Sequence, residues 1–196
     1  MIDLEELLRR VIADLDALAA PMAVVGGIAV SVRTEPRFTR DVDLAIAVAG
    51  DPEAEAVVSA MVERGWRITA TIEHEAAGRL AAVRLGPPEE PPAGRVADLL
   101  FASSGIEPEV VAGADELEVL EGLPAKVASI GHLIVLKVLA RAEDRPQDAV
   151  DLQALLDRAG SEDVTIARQA ARLVVERGYH RGKDLIGEID RLTSPP

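Results

Sequence analysis

The chain has 196 residues, 48% hydrophobic and 28% charged, which fits one domain, or a compact core with a helical extension, and excludes a disordered or collagen-like polypeptide. Its 21 basic and 34 acidic residues give a net charge of −13, spread as −7 over residues 1–100 and −6 over residues 101–196. With neither half basic, a nucleic-acid substrate would have to be met by a local cluster of arginines. Four aromatics, Phe38, Trp66, Phe101 and Tyr179, speak against a single-strand binder built on serial stacking, and the absence of cysteine excludes a disulfide framework, a thiol nucleophile and a cysteine-ligated zinc.

The N-terminus, Met1-Ile2-Asp3-Leu4-Glu5-Glu6, is acidic where a secretory signal would be basic. The longest uncharged stretch, Ala17 to Val32, is broken by Pro21, Gly26 and Gly27 and falls short of the roughly 20 residues that a membrane-spanning helix needs. The expectation is a soluble, cytoplasmic protein. Asp3 caps a first amphipathic helix over Leu4 to Ala19, with Leu4, Leu7, Val11, Leu15 and Leu18 on one face. Met22 to Val25 is a short apolar run stopped by Gly26-Gly27, and Ile28 to Val32 reads as a short buried helix. Asp41 to Ala49 alternates strictly, so it predicts a strand with Asp41 and Asp43 on one side and Val42, Leu44, Ile46 and Val48 on the other.

Asp51 as cap, Pro52 at the first position, the stripe Ala54-Val57-Val58-Met61 and Gly65 as terminator predict a second long helix. Strands follow at Trp66 to Ile72 and Leu80 to Leu85; Gly86 to Gly94, rich in proline, reads as a stiff exposed connection outside any sheet. Arg95 to Phe101 is the next strand, with a short one at Leu117 to Leu120. Helices complete the chain at Ile130–Ala142, Pro146–Ala159, Val164–Arg177 and roughly Lys183–Leu192. The fold class expected is α+β: a small mixed sheet with helices packed on it over residues 1–125, then a helical part over residues 126–196.

A glycine pair that ends a strand and opens a helix lets backbone approach a phosphate, and the helix N-terminus offers unpaired N–H groups to the anion. Two aspartates at i and i+2 of a strand supply hard oxygens for Mg²⁺ held jointly with substrate phosphates. Asp98, inside the apolar run Val96-Ala97-Asp98-Leu99-Leu100-Phe101, needs a charged partner. That partner is either an arginine, Arg84 or Arg95, or, if its strand neighbours that of Asp41 and Asp43, one of two divalent ions about 3.5–4 Å apart.

Val24-Val25-Gly26-Gly27 followed by Arg37-Phe38-Thr39-Arg40-Asp41-Val42-Asp43-Leu44, with Asp98 as third acid, resembles the polymerase-β-type nucleotidyltransferase superfamily. Within it, the sequence is similar to the AbiEii-type toxins of abortive-infection and toxin–antitoxin systems, which also carry a later helical lysine and a downstream Asp-x-x-Asp. The matching residues are Lys137, Asp148 and Asp151. The resemblance implies transfer of a nucleoside monophosphate from an NTP to an acceptor hydroxyl, with tRNA as acceptor and a cognate antitoxin as partner. Asp41, Asp43 and Asp98 would be catalytic and would bind two Mg²⁺ ions, Asp98 also taking the acceptor's proton. Gly26, Gly27, Lys137 and Arg40 would bind the nucleotide.

Lys137 lies on an apolar helix face with Ile130, Leu133 and Ile134, so it either reaches a phosphate or snorkels to solvent. Asp148 and Asp151 sit where the helix dipole alone favours acids. Arg33, Arg37 and Arg40 are the local source of positive charge; His74 and His132 read as structural, and Tyr179-His180-Arg181 carries no assignment. Three other readings stay open: the same chemistry on a small antibiotic or a partner protein, a non-catalytic binding module, and an unrelated acidic protein with an accidental motif.

Overall fold

A computed structural model of the chain describes residues 2–75, 77–88, 94–141 and 146–193. The N-terminal helix α1 (Leu4–Ala17) is capped by Asp3, whose carboxylate accepts the N–H of Glu6 at 2.8 Å. It lays Leu7, Leu8, Val11, Ile12 and Leu15 into the core. Strand β1 (Met22–Val25), helix α2 (Gly26–Arg33), strand β2 (Val42–Ile46) and helix α3 (Asp51–Glu63) follow, then β3 (Arg67–His74), β4 (Arg79–Gly86), β5 (Ala97–Leu100), α4 (Glu107–Ala112), β6 (Asp115–Leu120) and β7 (Leu123–Val127). The C-terminal helices are α5 (Ile130–Ala140), α6 (Pro146–Arg158), α7 (Ser161–Glu176) and α8 (Leu185–Thr193).

The fold is α+β, as expected, but its sheet is larger than the sequence suggests: seven strands in the order β3-β4-β5-β2-β1-β7-β6. Pairings β1/β7 and β2/β5 are parallel, and the other four are antiparallel. The β2 strand is shorter than its alternation predicts, so Asp41 stands just before the first paired residue. In helix α3 the cap is Gly50, not Asp51, because the Asp51 carboxylate is turned to Arg79 at 2.6 Å and to the N–H of Leu80 at 3.3 Å. Neither α4 nor β7 was expected. The connection predicted from Gly86 starts later, since Gly86 ends β4 and Pro87 is buried; its residues 89–93, like Ala142, lie outside the described residues.

The boundary expected at residue 125 falls inside β7, and one apolar core runs across it. Helix α5 carries that continuity, packing against α2, α6, α7 and α8. Trp66 fixes α1 to the start of β3, buried and donating its indole N–H to Asp14 at 2.8 Å. No described helix is long and apolar enough to cross a membrane.

Candidate functional site

Antiparallel pairing of β1 with β2 sets Val25 opposite Asp43, so the chain leaving β1 passes directly over that carboxylate. Only glycine fits there. Gly26 has a φ of +62°, and a Cβ on it would collide with the Asp43 side chain. A side chain on Gly27 would run into the Thr39 hydroxyl and the Arg37 guanidinium. From this crossing α2 begins, presenting its N-terminus beside Asp43.

Parallel pairing of β2 with β5 puts Asp43 in register with Asp98, so both side chains project from one face although 55 residues separate them in sequence. Asp43 is partly buried there, and among the described residues none donates a hydrogen bond to it. Its pKa is pushed up to about 6 by burial first and then by the charges of Asp98 and Asp41; Lys137 and Arg84 offset this only in part. Asp98 is differently placed: Arg84, its cross-strand partner on β4, grips both carboxylate oxygens at 2.8 Å. Of the two partners the sequence left open for Asp98, the structure supplies the arginine.

Across the cleft stand α5 and α6. Lys137, 13% exposed, donates to Asp148 at 2.8 Å and pairs with Asp151 at 2.7 Å. The Asp151 carboxylate, 1% exposed, also accepts from Arg37 at 2.6 Å and Gln147 at 3.0 Å. Burial would push its pKa up, but the hydrogen bonds from Gln147, Lys137 and Arg37 outweigh that and hold it below the usual carboxylate range. Asp148 and Asp151 are therefore not first-turn acids facing water to suit a helix dipole: both are buried, and they hold Lys137 on the cleft wall.

That cleft has a volume of about 240 Å³. Gly26, Asp43, Lys137 and Asp148 line one part of it and Leu133, Leu136 and Leu139 the apolar side. Arg181 also lines it, a residue at φ +54° that donates to the Ser103 carbonyl at 2.8 Å. Sequence reasoning passed over Arg181; its only local signal is the tight Gly178-Tyr-His-Arg-Gly182 punctuation, which forces a chain reversal but names no target.

The arginine cluster expected beside the acids disperses. Arg33 is spent on Asp115 at 2.7 Å and on the carbonyls of Val127 and Ala128, and Arg37 on Asp151. Arg40 is exposed, does not line the cleft, and lies over the Phe38 ring with 6.0 Å from guanidinium carbon to centroid. Both histidines singled out are structural: His74 accepts the Ala77 N–H at 3.2 Å and packs on Tyr179, and buried His132 meets the Ser129 hydroxyl at 2.9 Å.

The donor chemistry fits a hard divalent cation at Asp43 and Asp41, where carboxylates gather with too little positive charge. As the side chains stand, no three acidic or histidine side chains among the described residues form a metal-holding group, and Arg84 bonds to both oxygens of Asp98.

The profile of the family described as "Nucleotidyl transferase AbiEii toxin, Type IV TA system" matches residues 6–195. Curated proteins returned no match. Among solved structures, the solution structure of the antibiotic-resistance factor ANT(2'')-Ia is 19% identical, covers 89% of this chain and 95% of its own, and superposes with a TM-score of 0.57. The crystal structure of ANT(2")-Ia with adenylyl-2"-tobramycin is 15% identical, covers 87% of this chain and 94% of its own, and has a TM-score of 0.52. At these identities the likeness establishes the fold.

Proposed function

Since the chain belongs to the AbiEii nucleotidyl transferase toxin family and is a nucleotidyltransferase, we propose that it moves a nucleoside monophosphate from an NTP, with Mg²⁺, to an acceptor hydroxyl on tRNA, as the toxin of a toxin–antitoxin pair. One observation carries the reading. A single cleft joins a glycine-opened helix N-terminus, an under-neutralised carboxylate and a half-buried lysine, which are the parts needed to hold and discharge a triphosphate.

In this reading Gly26 and Gly27, the first two residues of α2, present the backbone N–H groups of its N-terminus to the phosphates. Lys137 faces the same anion, held by Asp148 and Asp151 so that it need not be ordered when the nucleotide arrives. Asp41 and Asp43 would hold Mg²⁺, which when bound supplies the positive charge that neutralises the triphosphate. The acceptor oxygen forms a bond to the α-phosphorus, the bond to pyrophosphate breaks, and the acceptor's proton passes to Asp98, which Arg84 holds in line with Asp43.

A second reading has a specific observation behind it: the acids on this cleft suit a polycationic drug, and ANT(2")-Ia, of the same fold, was crystallised with an adenylylated tobramycin. Labelled NTPs with Mg²⁺ and, in parallel, total tRNA, aminoglycosides or cell protein decide between them. Label on tRNA that disappears in Asp43→Asn is the expected result. Label on the drug or the protein alone overturns the RNA acceptor, and no transfer together with no NTP binding overturns the catalytic reading.

A further inference from the structure

The loop from Thr34 to Asp41 carries a feature that neither the triphosphate nor the cation uses. Phe38 is 74% exposed, whereas Trp66, Phe101 and Tyr179 are all buried. Burying a phenylalanine ring is favourable, so a ring left in water three residues before Asp41 is a surface kept open. Its backbone is pinned: the Phe38 carbonyl accepts from Arg37 at 2.9 Å, and the same guanidinium is anchored to buried Asp151 at 2.6 Å. On the next residue, the Thr39 hydroxyl abuts Gly27. The loop is thus anchored to α6 through Arg37 and packed against the start of α2 through Thr39, while its ring stays exposed. Arg40 lies over that ring, and no described carboxylate pairs with it.

We propose that Phe38 and Arg40 form the acceptor platform, on which an unpaired base of an RNA acceptor stacks on the Phe38 ring while Arg40 meets the adjoining phosphate. This rests on the nucleotidyltransferase reading above and moves Arg40 from the NTP to the acceptor. The pairing answers the charge problem of a chain at −13: stacking needs no net positive field, and one unpaired arginine at the point of contact supplies the local charge. A polycationic drug would be repelled by Arg40 and has no aromatic face to offer the ring. A protein acceptor has no repeated phosphate for Arg40.

The test uses the full chain and a short single-stranded RNA with a free 3′-hydroxyl and a 5′ fluorophore, with NTP affinity in Mg²⁺ measured separately on every variant. Phe38→Leu keeps an apolar side chain but loses the flat ring, and should weaken RNA binding about tenfold or more while NTP affinity is unchanged. Phe38→Tyr should restore the RNA affinity, and Arg40→Gln should lower it and flatten its salt dependence. Equal RNA affinity for Phe38→Leu and wild type overturns the platform, as does a parallel loss of NTP binding, which would assign the ring to the nucleotide. A wild-type protein that binds NTP but no RNA overturns the platform and leaves the nucleotidyltransferase standing. One that binds neither overturns both.

Discussion

Two acidic clusters face each other across one cleft, and they solve the problem of gathered charge in opposite ways. On the helical side Asp151 is almost wholly buried, yet its carboxyl is held below the ordinary range by Gln147, Lys137 and Arg37. On the sheet side Asp43 is less enclosed, yet its carboxyl is driven up to about 6 because burial, Asp98 and Asp41 act on it without a matching donor. A carboxylate whose cations are built into the chain serves the fold, and one left short of positive charge suits a cation from outside.

Removing the built-in compensation should have the largest effect. Asp151→Ala leaves Lys137 and Arg37 facing each other near a buried site and should cost about 3–5 kcal/mol of stability, measured by urea unfolding; a loss below about 1 kcal/mol would place the pair in solvent. Lys137→Met is correspondingly a poor test of phosphate binding, since it strips a partner from two buried aspartates.

The opposite sign is expected on the sheet side. Asp43→Asn removes an uncompensated charge and should raise stability above pH 7 by up to about 3 kcal/mol in the absence of divalent ions. The folded pKa of Asp43 lies above its ordinary 3.8, so the folded state binds the extra proton, and wild-type stability falls as pH rises from about 4 to about 6. Unfolding measured across that range should show wild type and Asp43→Asn alike below about pH 4 and diverging above it. Mg²⁺ should raise the melting temperature of wild type more at pH 8 than at pH 5, where the proton competes, and leave Asp43→Asn nearly unmoved.

Gly26→Ala should cost about 1–3 kcal/mol, because it strains a positive φ and drives a methyl group into Asp43; its nucleotide affinity should fall as well. Smallest in stability is Arg84→Gln: the pair with Asp98 is nearly half exposed on the arginine side, so less than about 1 kcal/mol is at stake. Its use lies in the pH profile. Arg84 holds the Asp43 carboxyl down in the intact protein, so without it the Asp43 midpoint should move further up; an unmoved midpoint would show that Asp43 does not sense the guanidinium.

Local pattern was enough wherever a segment's own residues settle its state. The periodic helices α1, α3 and α5 to α8 were legible to within a turn, because one apolar face and a punctuating cap, proline or glycine act over a few residues. The glycine pair, the alternation that puts Asp41 and Asp43 together, and the odd placement of Asp98 and Lys137 were legible for the same reason, and they identified the family. Tertiary structure decided the rest. That Arg84 and not Arg95 grips Asp98 follows from the β4/β5 register. That Arg37 is an anchor on a buried carboxylate follows from contact with Asp151, 114 residues away. Strand β7, a short run with proline inside it, becomes a strand only by pairing with β1 and β6, and α4 is too short to show a period. Charge compensation and strand pairing depend on which residues meet, and a chain's local composition carries its propensities but not its meetings.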